Sequence, residues 1–197
     1  MAFKPAADEQ YTIRRKVFKV FGAGFHIYDA DGKVAGYCKQ KALRLKEDLR
    51  VYTDDSMTSE LFRIGTTKVI DFAASYSVTL PTGETLGSFK RKGLKSLFRD
   101  SWMVAGPDGE PFAHVREESA WKATIRRVAD DWAFLLPQKF LIEEIGREGE
   151  PIATYRTHFN PVVHRLGVAI HREDPRLDDL VVLAGGCLLA AIEGRQR

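Results

Sequence analysis

Along most of the chain, apolar and polar positions alternate over four to eight residues and then break at Gly, Pro, Asp or Ser, the pattern of half-buried β-strands joined by tight turns. One stretch departs from it. From Leu180 to Ile192 the chain reads LVVLAGGCLLAAI, thirteen residues without a charge. Asp174 is placed as an N-cap, Pro175 suits a first helical position, and Asp178 and Asp179 suit the positive end of a helix dipole. Gly194 is placed as a C-cap beside Arg195 and Arg197, so the signals predict a helix from Pro175 to Glu193. Leu180, Val181, Val182 and Leu183 point to four different sides of that helix, and Leu188, Leu189 and Ile192 fill them again, which predicts burial all round. Thirteen residues span roughly 20 Å, short of the ~30 Å core of a bilayer. Burying the seven large side chains contributes about 10–20 kcal/mol, against about 2 kcal/mol lost to the helix-weakening pair Gly185 and Gly186. The segment is therefore expected inside the protein, not in a membrane.

The alternating part contains a recurring unit: GKVAGYCK from Gly32, GETLGSFK from Gly83, GEPFAHVR from Gly109 and GEPIATYR from Gly149. Each opens on a turn pair whose glycine supplies a positive φ, and a strand is expected to follow. The fifth residue is small (Gly36, Gly87, Ala113, Ala153) and the seventh mostly apolar (Cys38, Phe89, Val115, Tyr155), so these share the inward face. The eighth is always basic (Lys39, Lys90, Arg116, Arg156) and is expected on the solvated face. Intervals of 51, 26 and 40 residues are too uneven for a solenoid and suit repeated hairpins in one sheet. With the strand candidates between the copies, about eleven strands are available, enough to close a mainly β, antiparallel barrel around a buried C-terminal helix.

This layout resembles the Tubby C-terminal-like superfamily, in particular bacterial proteins similar to LURP-one-related proteins and phospholipid scramblases. The resemblance rests on Tyr11-Thr12-Ile13 with Val17-Phe18, on FHIYDADGKVAGY, on SYSVTLPTGETLGSFKRKGLKSLFRDSWMV followed by GPDGE, and on RLDDLVVLAGGCLLAAIEGR. It runs from Tyr11 to Gly194 and implies a twelve-stranded barrel wrapped on the C-terminal helix. Residues 1–10 are read as an N-terminal extension, and residues 11–197 as a single barrel domain with its central helix at 175–193. Relatives of this kind bind phosphoinositides or are linked to lipid scrambling. The Pro-rich leader and lipidated cysteine cluster of scramblases are absent from this sequence, so scrambling is not expected.

Composition adds limits. With 44% apolar and 29% charged residues in 197, the chain is expected to fold. The N-terminus has no apolar signal region and Ala2 stands where myristoylation needs Gly, so a cytoplasmic location is expected, peripheral at a membrane if lipid is the partner. Cys38 and Cys187 are expected to be reduced and structural. A formal charge of +3 permits phosphate contacts without demanding them.

The densest basic stretch, FKRKGLKSLFRDSW, interleaves Lys90, Arg91, Lys92, Lys95 and Arg99 with Phe89, Leu94, Leu97, Phe98 and Trp102. Basic residues gain roughly 1 kcal/mol each near anionic lipid, and exposed aromatics can enter the headgroup layer. The five basic residues are the candidate site for an anionic phospholipid or membrane surface; the plain alternative is a hairpin with one charged, solvated face. Nucleic acid would need Phe98 or Trp102 for base stacking and is disfavoured by the small net charge. Arg14, Arg15 and Lys16 read as edge-strand solubility.

Catalysis is not expected. DADG places Ile27 and Cys38 where a calcium loop needs carboxylates, and helix capping accounts for Asp174, Asp178 and Asp179. His158, His164 and His171 lack ligand spacing, with His164 and His171 on opposite faces of one expected strand. GAG at Gly22–Gly24 is no dinucleotide fingerprint, and no P-loop, G-x-S-x-G or CxxC occurs. No cofactor and no metal is expected. The sequence thus favours a non-enzymatic binding module for anionic lipid, with a protein-interaction or structural subunit of a larger complex as the alternative.

Overall fold

The computed structural model describes residues 5–16, 24–39, 49–67, 75–91, 102–118, 138–158 and 163–193. Twelve strands are found there: β1 (Tyr11–Lys16), β2 (Gly24–Asp29), β3 (Val34–Lys39), β4 (Leu49–Tyr52), β5 (Glu60–Thr67), β6 (Ser75–Thr79), β7 (Thr85–Arg91), β8 (Trp102–Ala105), β9 (Pro111–Glu117), β10 (Lys139–Glu144), β11 (Pro151–His158) and β12 (Val163–Ile170). They form one antiparallel meander that closes when β1 pairs with β12, Tyr11 opposite Val168 and Ile13 opposite Leu166. The final element, α1 (Asp179–Glu193), fills the lumen. Closure leaves no unpaired edge, so the basic residues of β1 guard none.

Each copy of the repeated unit forms the second strand of a hairpin: β3, β7, β9 and β11. Gly32, Gly83, Gly109 and Gly149 have φ of 78°, 92°, 80° and 101°, the left-handed values that tight turns require and that side chains disfavour. The fifth and seventh residues of each copy are buried and the basic eighth faces outward, as the alternation predicts. A bulge sits at the same place in every copy, leaving Ala35, Leu86, Phe112 and Ile152 unpaired in the register; Leu61 does the same on β5. A bulge sends two successive side chains to one face. Leu86, Phe112 and Ile152 thereby join the core, closing the hairpin end of the barrel with apolar side chains.

Val181 to Ala191 are buried without interruption, so the uncharged segment is core. No helix of the described residues is long and apolar enough to cross a membrane. The barrel is apolar inside and charged outside, the reverse of a barrel that spans a bilayer. Gly185 and Gly186 are where the wall comes closest to the rod. A Cβ on Gly185 would overlap the Tyr155 hydroxyl and crowd the Phe89 ring, and one on Gly186 would press on Ile13 and Val168. The Tyr155 hydroxyl in turn donates to the Val182 carbonyl at 2.7 Å, fixing the depth of the helix.

The helix begins at Asp179, not at Pro175. Asp178 is its cap: its carboxylate accepts the Leu180 N–H at 2.8 Å and its carbonyl accepts from Val181 and Val182. Asp174 caps a tight turn instead, accepting the Arg176 N–H at 3.0 Å while its carbonyl accepts from Leu177. Arg176 ties this crossover to the wall, reaching Asp174 at 2.8 Å and Glu144 at 2.6 Å with its guanidinium over the Phe112 ring. Gly194 and the residues after it lie outside the described residues.

Candidate functional site

Of the five basic residues that the sequence singles out, two lie on a described strand. Lys90 is exposed on the outer face of β7, opposite Ser75 and Met103 in the register. Arg91 ends the strand, its backbone paired with Trp102. Lys92, Lys95 and Arg99, with Leu94, Leu97 and Phe98, lie outside the described residues. The aromatic part of the expectation needs correction. Phe89 and Trp102 belong to the core, Trp102 against Tyr76 with ring centroids 5.7 Å apart, so neither is available to a headgroup layer or a nucleic-acid base. The cause is strand alternation: Phe89 points opposite to Lys90.

The basic eighth residues of the repeats give the wall a recurrent cation. Arg116 is bound bidentately to Glu143, whose carboxylate is fully buried and also accepts the Gly149 N–H at 2.9 Å. Burial alone would raise the Glu143 pKa, but the bonds from Arg116 and Gly149 outweigh it and hold the carboxyl below its ordinary value. Arg156 stands 3.9 Å from Asp8. Lys39 and Lys90 are exposed and have no charged partner among the described residues.

These cations lie toward one end of the strands. Lys16, Lys39 and Arg91 close β1, β3 and β7, and Lys139 opens β10, all at the end opposite the tight hairpins. The five hairpin connections carry the reverse sign: Asp31, Asp54, Asp55, Glu84, Asp108, Glu110, Glu148 and Glu150 against Lys33 and Arg147. Glu117 and Glu118, where β9 ends, stand among these cations, Glu118 at 3.3 Å from Lys139, so the described residues are on balance basic at this end and acidic at the hairpins.

Nucleophile and metal chemistry find little support in the geometry. Cys38 and Cys187 are fully buried, and burial pushes the Cys38 thiol up to about 12 and Cys187 up as well. Among the described residues no three His, Cys, Asp or Glu are grouped to hold a metal ion. His171 meets Thr154 at 3.1 Å, His158 meets Glu9 at 2.5 Å, and His164 stands on β12 opposite Arg15. The Glu9–His158 contact spans 149 residues, and no sequence spacing could have signalled it.

The family model described as LURP-one-related matches residues 34–184, from β3 into α1. β1 and β2 fall before the matched span, yet both are hydrogen-bonded members of the same closed sheet. Comparison with curated proteins and with solved structures gives no match.

Proposed function

Because the chain belongs to the LURP-one-related family, a membership that fits a non-enzymatic binding module, we propose that its basic strand ends recognise anionic phospholipid headgroups, with Lys90, Arg91, Lys92, Lys95 and Arg99 as the contact stretch. The axial charge separation carries this reading. Strands of six residues span about 20 Å, beyond the ~10 Å over which 0.1 M salt screens a charge. A barrel approaching by its basic end keeps the carboxylates of the hairpin turns out of range of the surface. Each Lys or Arg at an anionic surface contributes about 1 kcal/mol.

Flotation of the protein with vesicles of phosphatidylserine in phosphatidylcholine, at low and high salt, tests the reading. Binding should weaken with salt and vanish on phosphatidylcholine alone. Neutralising Lys90, Arg91 and Lys92 together removes about 3 kcal/mol, on the order of a hundredfold in affinity. Flotation unchanged in that triple variant would sink the proposal. A second reading, a protein-interaction subunit with no lipid role, draws on the exposed apolar side chains Val34, Met57 and Ile145, all at the hairpin end. Stoichiometric recovery of a protein from lysate, with indifference to vesicles, would favour it.

A further inference from the structure

The segment before β1 folds back on the barrel. Gln10 N–H donates to the Val168 carbonyl at 2.9 Å, and the Gln10 side chain bonds both the N–H and the carbonyl of Ile170, at 2.7 and 3.3 Å. The preceding residue, Glu9, is only 4% exposed, and its carboxylate lies over Gly167 of β12. A Cβ on Gly167 would occupy the space of that carboxylate, so the notch exists because the residue is glycine. Thr12 of β1, itself fully buried, donates its hydroxyl to Glu9 Oε2 at 3.1 Å, and His158 of β11 brings Nε2 to 2.5 Å from Oε1. Arg156 of β11 faces Asp8 alongside.

Burial of an unpaired carboxylate is costly. Here burial, which raises the Glu9 pKa, is outweighed by His158, Thr12 and the Ala6 backbone, and the group stays ionised. Three adjacent strands thus supply a floor without a side chain, a buried hydroxyl, a ring nitrogen and a nearby guanidinium, donors suited to any oxyanion of carboxylate or phosphate type. We propose that this notch between β1, β12 and β11 is an anion-receiving site that Asp8 and Glu9 fill from within the chain, so that the N-terminal segment competes with an external phosphate for the same donors. It goes beyond the lipid reading, since it lies four strands around the barrel from Lys90 and needs no membrane.

The test compares the full chain with Glu9→Gln, using calorimetric titration with inorganic pyrophosphate and hydrogen exchange of residues 5–12. Glu9→Gln should speed exchange in that segment and tighten pyrophosphate binding at least tenfold. Adding His158→Ala should remove the gain. Gly167→Ala, which evicts the carboxylate but fills the notch, should speed exchange without any gain. Slow exchange in Glu9→Gln, fast exchange with unchanged affinity, or a gain that survives either second substitution overturns the inference. If the gain extends to phosphatidylserine vesicles the anion is a headgroup; if it is confined to pyrophosphate it is a free phosphate, and both support the site. Vesicle binding that ignores Lys90 would defeat the lipid proposal and leave this result standing.

Discussion

The two ends of the barrel are made by the same strands yet carry opposite charge, and the charges have different causes. At the hairpin end three aspartates brace the turns. Asp29 accepts from the N–H groups of Asp31 and Lys33 at 3.0 and 2.8 Å, Asp54 from Ser56 at 2.9 Å, and Asp108 from Glu110 at 3.0 Å. These are the local bonds for which turns select Asp. At the other end Lys139 pairs with Glu118 at 3.3 Å, whereas Lys39 and Lys90 lie exposed with no charged partner among the described residues. The negative charge of Asp29, Asp54 and Asp108 follows from turn geometry. The charge of Lys39 and Lys90 has no structural cause in the described contacts, which makes these two the better guide to what the surface meets.

The largest effect comes from unseating the rod that both ends share. Gly185→Val places a branched side chain against the Tyr155 hydroxyl and the Phe89 ring and breaks the bond from Tyr155 to Val182. Overpacking and the lost hydrogen bond together should cost about 3–5 kcal/mol. For a chain of this size that lowers the melting temperature by roughly 10–15 °C, read by circular dichroism. A variant melting with the wild type would show that the helix does not sit where the wall touches it.

A smaller effect separates structural charge from functional charge. Glu143→Gln leaves Arg116 facing a neutral amide and should cost about 2–3 kcal/mol at pH 7, while vesicle binding stays unchanged. Because the folded pKa of Glu143 lies below its unfolded value, this stabilisation is complete above the ordinary carboxylate range and disappears as pH falls through the folded value. Denaturant midpoints of the two proteins should therefore converge below about pH 4. A constant gap down to acid pH would show that the pair contributes through packing and not through charge.

Most of the fold was legible because its signals are local and periodic. The turn glycines, the small fifth and basic eighth residues of each repeat, and the uncharged terminal segment each state a backbone conformation or a face, and the structure agrees with them at Gly109, Ala153 and Lys90. The misses share a cause: one residue type serving two local structures. Asp174 and Asp178 are equally good caps on paper, and only the bond from Arg176 shows that the first belongs to a turn. Trp102 sits in a basic stretch, but its facing follows from its register opposite the buried Val115, which sequence does not display. The bulges escaped notice because an extra inward residue such as Phe112 looks like a break in alternation. Of the candidate site, composition gave the cations but not the polarity, since the carboxylates that balance them lie in separate turns along the chain.

The smallest effect tests whether the hairpin end is set by backbone conformation alone. Gly109 and Gly83 have φ of 80° and 92°, and a Cβ on either would meet nothing within 4 Å. Gly109→Ala therefore carries no steric overlap with the rest of the molecule, unlike a substitution at Gly185, and its cost is the left-handed strain of one residue, about 1 kcal/mol. That is roughly 2–4 °C in melting temperature. The two turns join different strand pairs and share no partner, so Gly83→Ala combined with Gly109→Ala should be additive to within about 0.5 kcal/mol. Neither change touches a basic strand end, and vesicle binding should be that of the wild type in the double variant. A cost well above the sum would mean that the turns are coupled through the bulges beside them, and that the end of the barrel closes as one unit.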